Sequence, residues 1–131
     1  MAESVLWRAL VALLLRDRFR LGYALMLGKL GKNMARRKAV KIYRRGLAHA
    51  NASRYDDAIA AYSSVVEMRQ APLDVRSMAR LNRALVYSLQ GNTDLAGKEL
   101  TIVIHDDAAP ESVKATAQEK LKRLERRTKT D

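Results

Sequence analysis

GLAHANASRYDDAIAAYSSVVEM (residues 46–68) and NRALVYSLQGNTDLAGKELTIVI (residues 82–104) are two versions of one pattern. At an offset of 38, Arg45-Gly46-Leu47 recurs as Arg83-Ala84-Leu85, Asp56 as Asp94, Ala58 as Ala96, Tyr62 as Leu100, Val65 as Val103 and Val66 as Ile104. Self-similarity over such a period is the mark of a repeat architecture, in which one supersecondary unit stacks on its neighbour because neither can bury its apolar face alone.

Each copy reads as two helices joined by a short turn. In the first, residues 37–51 carry Val40, Tyr43, Leu47 and Ala50 at helical spacing, with a small residue at Gly46. Asn51, Ser53 and Asp56 supply turn and capping chemistry before a second helix over 55–69, whose apolar side is Ile59, Tyr62, Val65 and Val66. Ala71-Pro72 closes the unit. The second copy opens with Asp74 as a candidate N-cap and places Met78, Leu81, Leu85, Ser88 and Leu89 on one stripe up to Gln90. Gly91-Asn92 then stops the helix, and a partner over 93–106 carries Leu95, Leu100, Val103 and Ile104. TIVI at 101–104 is β-branched enough to suggest a strand, but the repeat register assigns it to a helix. Beyond Pro110, Val113, Ala117, Leu121 and Leu124 form a single apolar stripe, expected to cover the last open repeat face.

These stretches resemble the tetratricopeptide repeat: Gly46 and Ala58 stand at its small-residue sites, Tyr55 opens the second helix, Tyr62 is its aromatic and Pro72 lies in the closing turn, with Ala84, Tyr87, Gly91 and Ala96 in the next copy. The resemblance covers residues 38–108 and implies an all-α, right-handed stack of antiparallel helix pairs. With an N-terminal hairpin over 1–35, repeats over 36–109 and a capping helix with a polar tail over 110–131, about seven helices are expected. The family period is shorter by about four residues, which places the excess around Arg69–Val75. Arg45 and Arg83 occupy a site the family gives to leucine, and Arg80 one it gives to a large apolar residue. Either the helices are rotated or these arginines snorkel to water. A faint further match, Ala12 and Ala24, raises a degenerate repeat before residue 35.

The composition agrees with helices. Of 131 residues 48% are apolar and 30% charged, seven are aromatic, two are Pro and none is Cys. Disulfides, thiolate metal sites and a cysteine nucleophile are thereby excluded. Charge is uneven: residues 1–45 hold twelve Lys and Arg against Glu3 and Asp17, whereas 46–131 hold thirteen against twelve acids. Such a field steers a protein toward anionic lipid, nucleic acid or an acidic protein surface. Arg36, Arg37, Lys38, Lys41, Arg44 and Arg45 form the densest basic patch, spread around the helix and unaccompanied by a nucleic-acid-reading motif. A solvated basic face is the simpler reading.

VLWRALVALLL at 5–15 and LGYALMLG at 21–28 are each shorter than the roughly 20 residues a membrane-spanning helix needs. Neither suits a secretory signal, and an organellar presequence is a weaker fit. The segment reads either as a hairpin packed on the domain, with Gly22, Gly28 and Gly31 allowing close approach, or as an interfacial helix in which Trp7, Phe19 and Tyr23 favour the headgroup zone.

No catalytic constellation is expected, nor any cofactor or metal site. His49 and His105 fall in different repeats, GKLGKN at 28–33 lacks the strand that a phosphate loop requires, and Asp56-Asp57 is ordinary helix-start chemistry. The resemblance instead implies a concave groove lined by Val40, Tyr43, Leu47, Ala50 and Asn51 from one copy, with Met78, Leu81, Asn82, Leu85 and Leu89 from the next. Of the family's carboxylate-gripping residues only Asn82 has a counterpart, since Tyr43 and Leu47 stand at two polar sites. An apolar groove implies a non-catalytic scaffold that receives a helix or peptide of another protein, or this chain's own residues 5–30. The alternatives are a peripheral membrane adaptor and a nucleic-acid-associated protein; a homo-oligomer is also open, and a cytoplasmic or membrane-associated location is expected.

Overall fold

In the computed structural model, residues 2–130 are described, with side chains described for Arg16 and from Arg20 onward. Five helices follow one another: α1 (Ala2–Asn51), α2 (Tyr55–Glu67), α3 (Leu73–Leu89), α4 (Thr93–Ile104) and α5 (Glu111–Thr128). There is no strand among the described residues, so the fold is all-α and TIVI is helical. The expected hairpin over 1–35 does not form. Its residues are the first part of one 50-residue helix, which removes the turns that a seven-helix count and a degenerate first repeat both require. The three glycines there do not break it, each costing only about 0.5–1 kcal/mol in a helix interior. Trp7 and Phe19 lie outside the described side chains. By its contacts the chain divides into two units, residues 1–34 and 35–131.

Within the second unit the helices pack in chain order, α2 on α3, α3 on α4 and α4 on α5, and α3 also touches α5. The offset of 38 persists as an offset in burial. Ala58 and Ala96 are both fully buried, as are Val65 and Val103, and Tyr62 matches Leu100. The turns match as well: Ser53 and Gly91 both have positive φ, 58° and 79°, and the next residue's N–H reaches back to a helix carbonyl, Arg54 to His49 and Asn92 to Tyr87, each at 2.9 Å.

The same offset carries α3 onto α5, which sequence reading missed. Ala71-Pro72 recurs as Ala109-Pro110, Val75 as Val113, Ala79 as Ala117 and Val86 as Leu124, and all the apolar members are buried. Helix α3 has two packed faces. Val75, Ala79 and Val86 join Ala39, Ala58, Tyr62, Val65 and Val66 in one core cluster, while Leu81 and Ala84 join Leu100, Val103, Val113 and Ala117 in another. On α5 the counterparts of Leu81 and Ala84 are Glu119 and Lys122, both exposed. Helix α5 therefore has one packed face, and its other side meets water. On α1 the counterparts of Val75 and Ala79 are Arg37 and Lys41, also exposed. Arg37 and Lys41 of the basic patch thus stand where α3 has packed apolar residues, whereas Arg36 of the same patch turns to Asp74 on α3.

Helix starts differ from expectation in detail. Pro72 and Pro110 are the N-cap residues of α3 and α5. Asp74 is therefore not a cap. It sits in the first turn, where the dipole favours an acid, and receives Arg36 Nη2 at 2.9 Å and Nη1 at 3.3 Å.

Candidate binding surface

The residues expected to line one apolar groove separate into a packed part and an open part. Tyr43 is half-buried, and its hydroxyl accepts a hydrogen bond from Asn82 Nδ2 at 2.6 Å, so the one counterpart of a carboxylate-gripping residue is occupied within the fold. Asn82 Nδ2 also donates to the Met78 carbonyl at 3.1 Å. The Tyr43 ring lies 5.9 Å from that of Tyr62, inclined by 47°. Burial raises the pKa of Tyr43, partly offset by the Asn82 hydrogen bond, and pushes Tyr62 up to about 12 with help from the neighbouring phenol. Val40 is half-buried against the first core cluster, Leu47 and Asn82 are half-buried, Leu81 is buried, and Met78 and Asn51 are exposed.

Leu85 and Leu89 meet a different neighbour. With Ala84, Ser88, Leu100 and Leu124 they line an open depression of about 290 Å³, rimmed on α5 by Lys120, Arg123 and Arg127. Leu89 is 65% exposed. Arg123 Nη2 approaches Glu119 Oε1 at 3.4 Å, whereas Lys120 and Arg127 form no ion pair among the described residues. The surface is chemically mixed: its floor offers apolar area and its α5 rim offers cations. Lys120, Arg123 and Arg127 are absent from the groove that the resemblance implies, because α5 is expected there only as a cover. The recurrence of Ala71-Pro72 at Ala109-Pro110 was the available signal that α5 repeats the pattern of α3.

The out-of-pattern arginines have a structural explanation. Arg83 donates to Glu99 through Nη2 at 2.8 Å and Nε at 3.2 Å, and to Ser63 Oγ through Nη1 at 2.9 Å. Arg80 Nη1 reaches the same carboxylate at 3.4 Å. The Arg83 and Glu99 side chains are only 12% and 14% exposed, so this cluster ties α2, α3 and α4 together and the arginines do not snorkel freely to water. Arg45, at the position equivalent to Arg83, is exposed. So are Arg36, Arg37, Lys38, Lys41 and Arg44, and of these six only Arg36 forms an ion pair among the described residues.

Neither histidine gathers a reactive group. His49 Nδ1 accepts from Arg54 Nε at 3.1 Å, and His105 Nδ1 lies 2.9 Å from the Thr101 carbonyl of its own helix. No cluster of three potential metal ligands occurs among the described residues, and no helix there is long and apolar enough to cross a membrane. No family model, curated protein or solved structure matches the chain.

Proposed function

We propose that this protein is a small non-catalytic scaffold of tetratricopeptide-like architecture that holds a helical or extended segment of another protein. The reading rests on the depression over Leu85, Leu89, Leu100 and Leu124, an apolar floor left open where the neighbouring helices close over their own side chains. The alternation of α3 and α5 on one side supports the architecture, since stacked pairs align their first helices along a shared surface. Two occupant side chains seated on the Leu85–Leu89 floor would provide the apolar anchor of a helix-in-groove contact. Carboxylates flanking those anchors would meet Lys120 and Arg127, adding orientation and on-rate more than affinity.

The experiment is site-specific photo-cross-linking in cells from a photoreactive residue at position 89, with position 118, exposed on α5, as control. The reading expects a discrete adduct from position 89 alone, weakened when Lys120→Glu and Arg127→Glu are combined. Equal adducts from both positions, or none from position 89, overturn it.

A further inference from the structure

Residues 20–34 of α1 display large, exposed apolar side chains. Tyr23 is 68% exposed, Met26 67%, Leu27 55%, Leu30 52% and Met34 63%. At about 100° per residue these five fall within an arc of roughly 100°, a width typical of the buried stripe of an amphipathic helix, while Leu21, 64% exposed, and Leu25, 62% exposed, lie on the opposite side with Lys29 and Lys32. Lys29 and Lys32 fall away from that arc, and Arg16 and Arg20 stand at its N-terminal end, where with Tyr23, Ala24 and Leu27 they surround a shallow surface depression. No acidic residue occurs from Arg18 to Tyr55, a stretch with eleven Lys and Arg.

We infer that residues 20–34 lie along an anionic lipid surface, with the Tyr23–Met34 stripe in the acyl boundary and the surrounding cations on the headgroups. Two independent features select this occupant. The apolar stripe needs a non-aqueous surface, which a nucleic acid does not offer over such an arc. The uninterrupted positive charge needs an anionic one, and a second copy of the same helix would bring only cations against cations. An anionic membrane meets both demands, and Lys and Arg on an amphipathic helix are suited to it because their stems stay apolar while their heads reach phosphates. The cationic patch from Arg37 to Arg45 supports the same attraction: capping a stack requires a polar face, but not one of a single sign. The outer face of α5, with Glu119 and Lys122, is mixed.

The test is co-sedimentation of the full chain with vesicles of phosphatidylcholine containing about three parts in ten phosphatidylserine, beside pure phosphatidylcholine, at ~0.1 M salt. The wild-type chain is expected on the anionic vesicles, with much less on the neutral ones. Leu27→Gln with Leu30→Gln should lower binding by at least about tenfold, since each removes apolar area from the interface. Lys29→Gln with Lys32→Gln should lower it by roughly fivefold per charge and weaken its salt dependence. Both pairs are exposed, and unchanged circular dichroism verifies that the helix persists. Absence of wild-type binding overturns the inference, as does binding that survives loss of both leucines. It is equally overturned if the free protein is a dimer that the Leu27→Gln/Leu30→Gln variant converts to monomer, because the stripe would then be taken by a second copy.

Discussion

Gly46→Ala should destabilise the repeat unit although alanine is the better helix former. A Cβ at position 46 would stand 2.6 Å from Cε1, 2.8 Å from Cδ1 and 3.1 Å from Cζ of Tyr62. These are atoms of a ring 1% exposed, with the Tyr43 ring 5.9 Å away, so they cannot swing aside as a flexible side-chain end does. Overpacking of this kind costs about 1–3 kcal/mol, and the gain in helix propensity returns roughly 1 kcal/mol. The net loss is up to about 2 kcal/mol, worth roughly 4–8 °C per kcal/mol in the Tm of a unit near this size. The repeat supplies its own control: the equivalent pair one period later is Ala84 with Leu100, so Gly46→Ala combined with Tyr62→Leu should recover much of the stability lost by the single variants. Gly31→Ala, which meets nothing within 4 Å, should be neutral or stabilising. Urea unfolding followed by circular dichroism measures all four. Gly46→Ala as stable as wild type, or no coupling between positions 46 and 62, would refute the reasoning.

Other perturbations test separate parts of the structure. Ser53→Gly should gain about 0.5–1 kcal/mol in the same unfolding assay, because Ser53 holds the positive φ that its counterpart Gly91 adopts at little cost. Glu99→Ala should lose about 2–3 kcal/mol by stranding Arg83, while replacing Arg80, Arg83 and Glu99 together with leucines should cost far less. The Arg36 guanidinium holds Asp74 below its ordinary value. Its contribution is therefore present above the usual carboxylate pKa near 4 and disappears as pH falls through the lower folded value; the deficit of Arg36→Ala, under about 1 kcal/mol for so exposed a pair, should vanish there in acid unfolding curves. Tyr62 titrates at about 12 in the folded chain, so its contribution is intact below the ordinary tyrosine value near 10 and is lost as pH rises to about 12. Ultraviolet titration of Tyr62→Phe against wild type should show one late-ionising phenol missing.

Helical class and the α2, α3 and α4 segments were legible because apolar periodicity, Gly91 and the match at an offset of 38 agree with one another. The continuous α1 was not: Gly22, Gly28, Gly31 and the charges at 16–20 suggest a turn, yet none of them forces a helix to end, and the loss in propensity is small beside the cooperativity of propagation. The groove was legible only in part. The resemblance put Tyr43, Leu81 and Leu89 on one surface, but the depth of each depends on its neighbour: Asn82 and Tyr62 occupy the space beside Tyr43, Val113 and Ala117 pack in one cluster with Leu81, and Leu89 extends past that cover. Arg80 and Arg83 could not be explained from one helix, because their partner Glu99 is sixteen residues beyond Arg83 on the opposing helix.

The helices close over two core clusters yet leave two apolar surfaces exposed, at Leu89 and along Leu27–Leu30. Paramagnetic relaxation of leucine and valine methyls by a soluble probe, in the full chain free of vesicles, tests this most directly. Leu27, Leu30 and Leu89 should broaden strongly while Val65, Val86 and Val103 stay sharp. Protection of the first three, or broadening of the last three, would contradict the account.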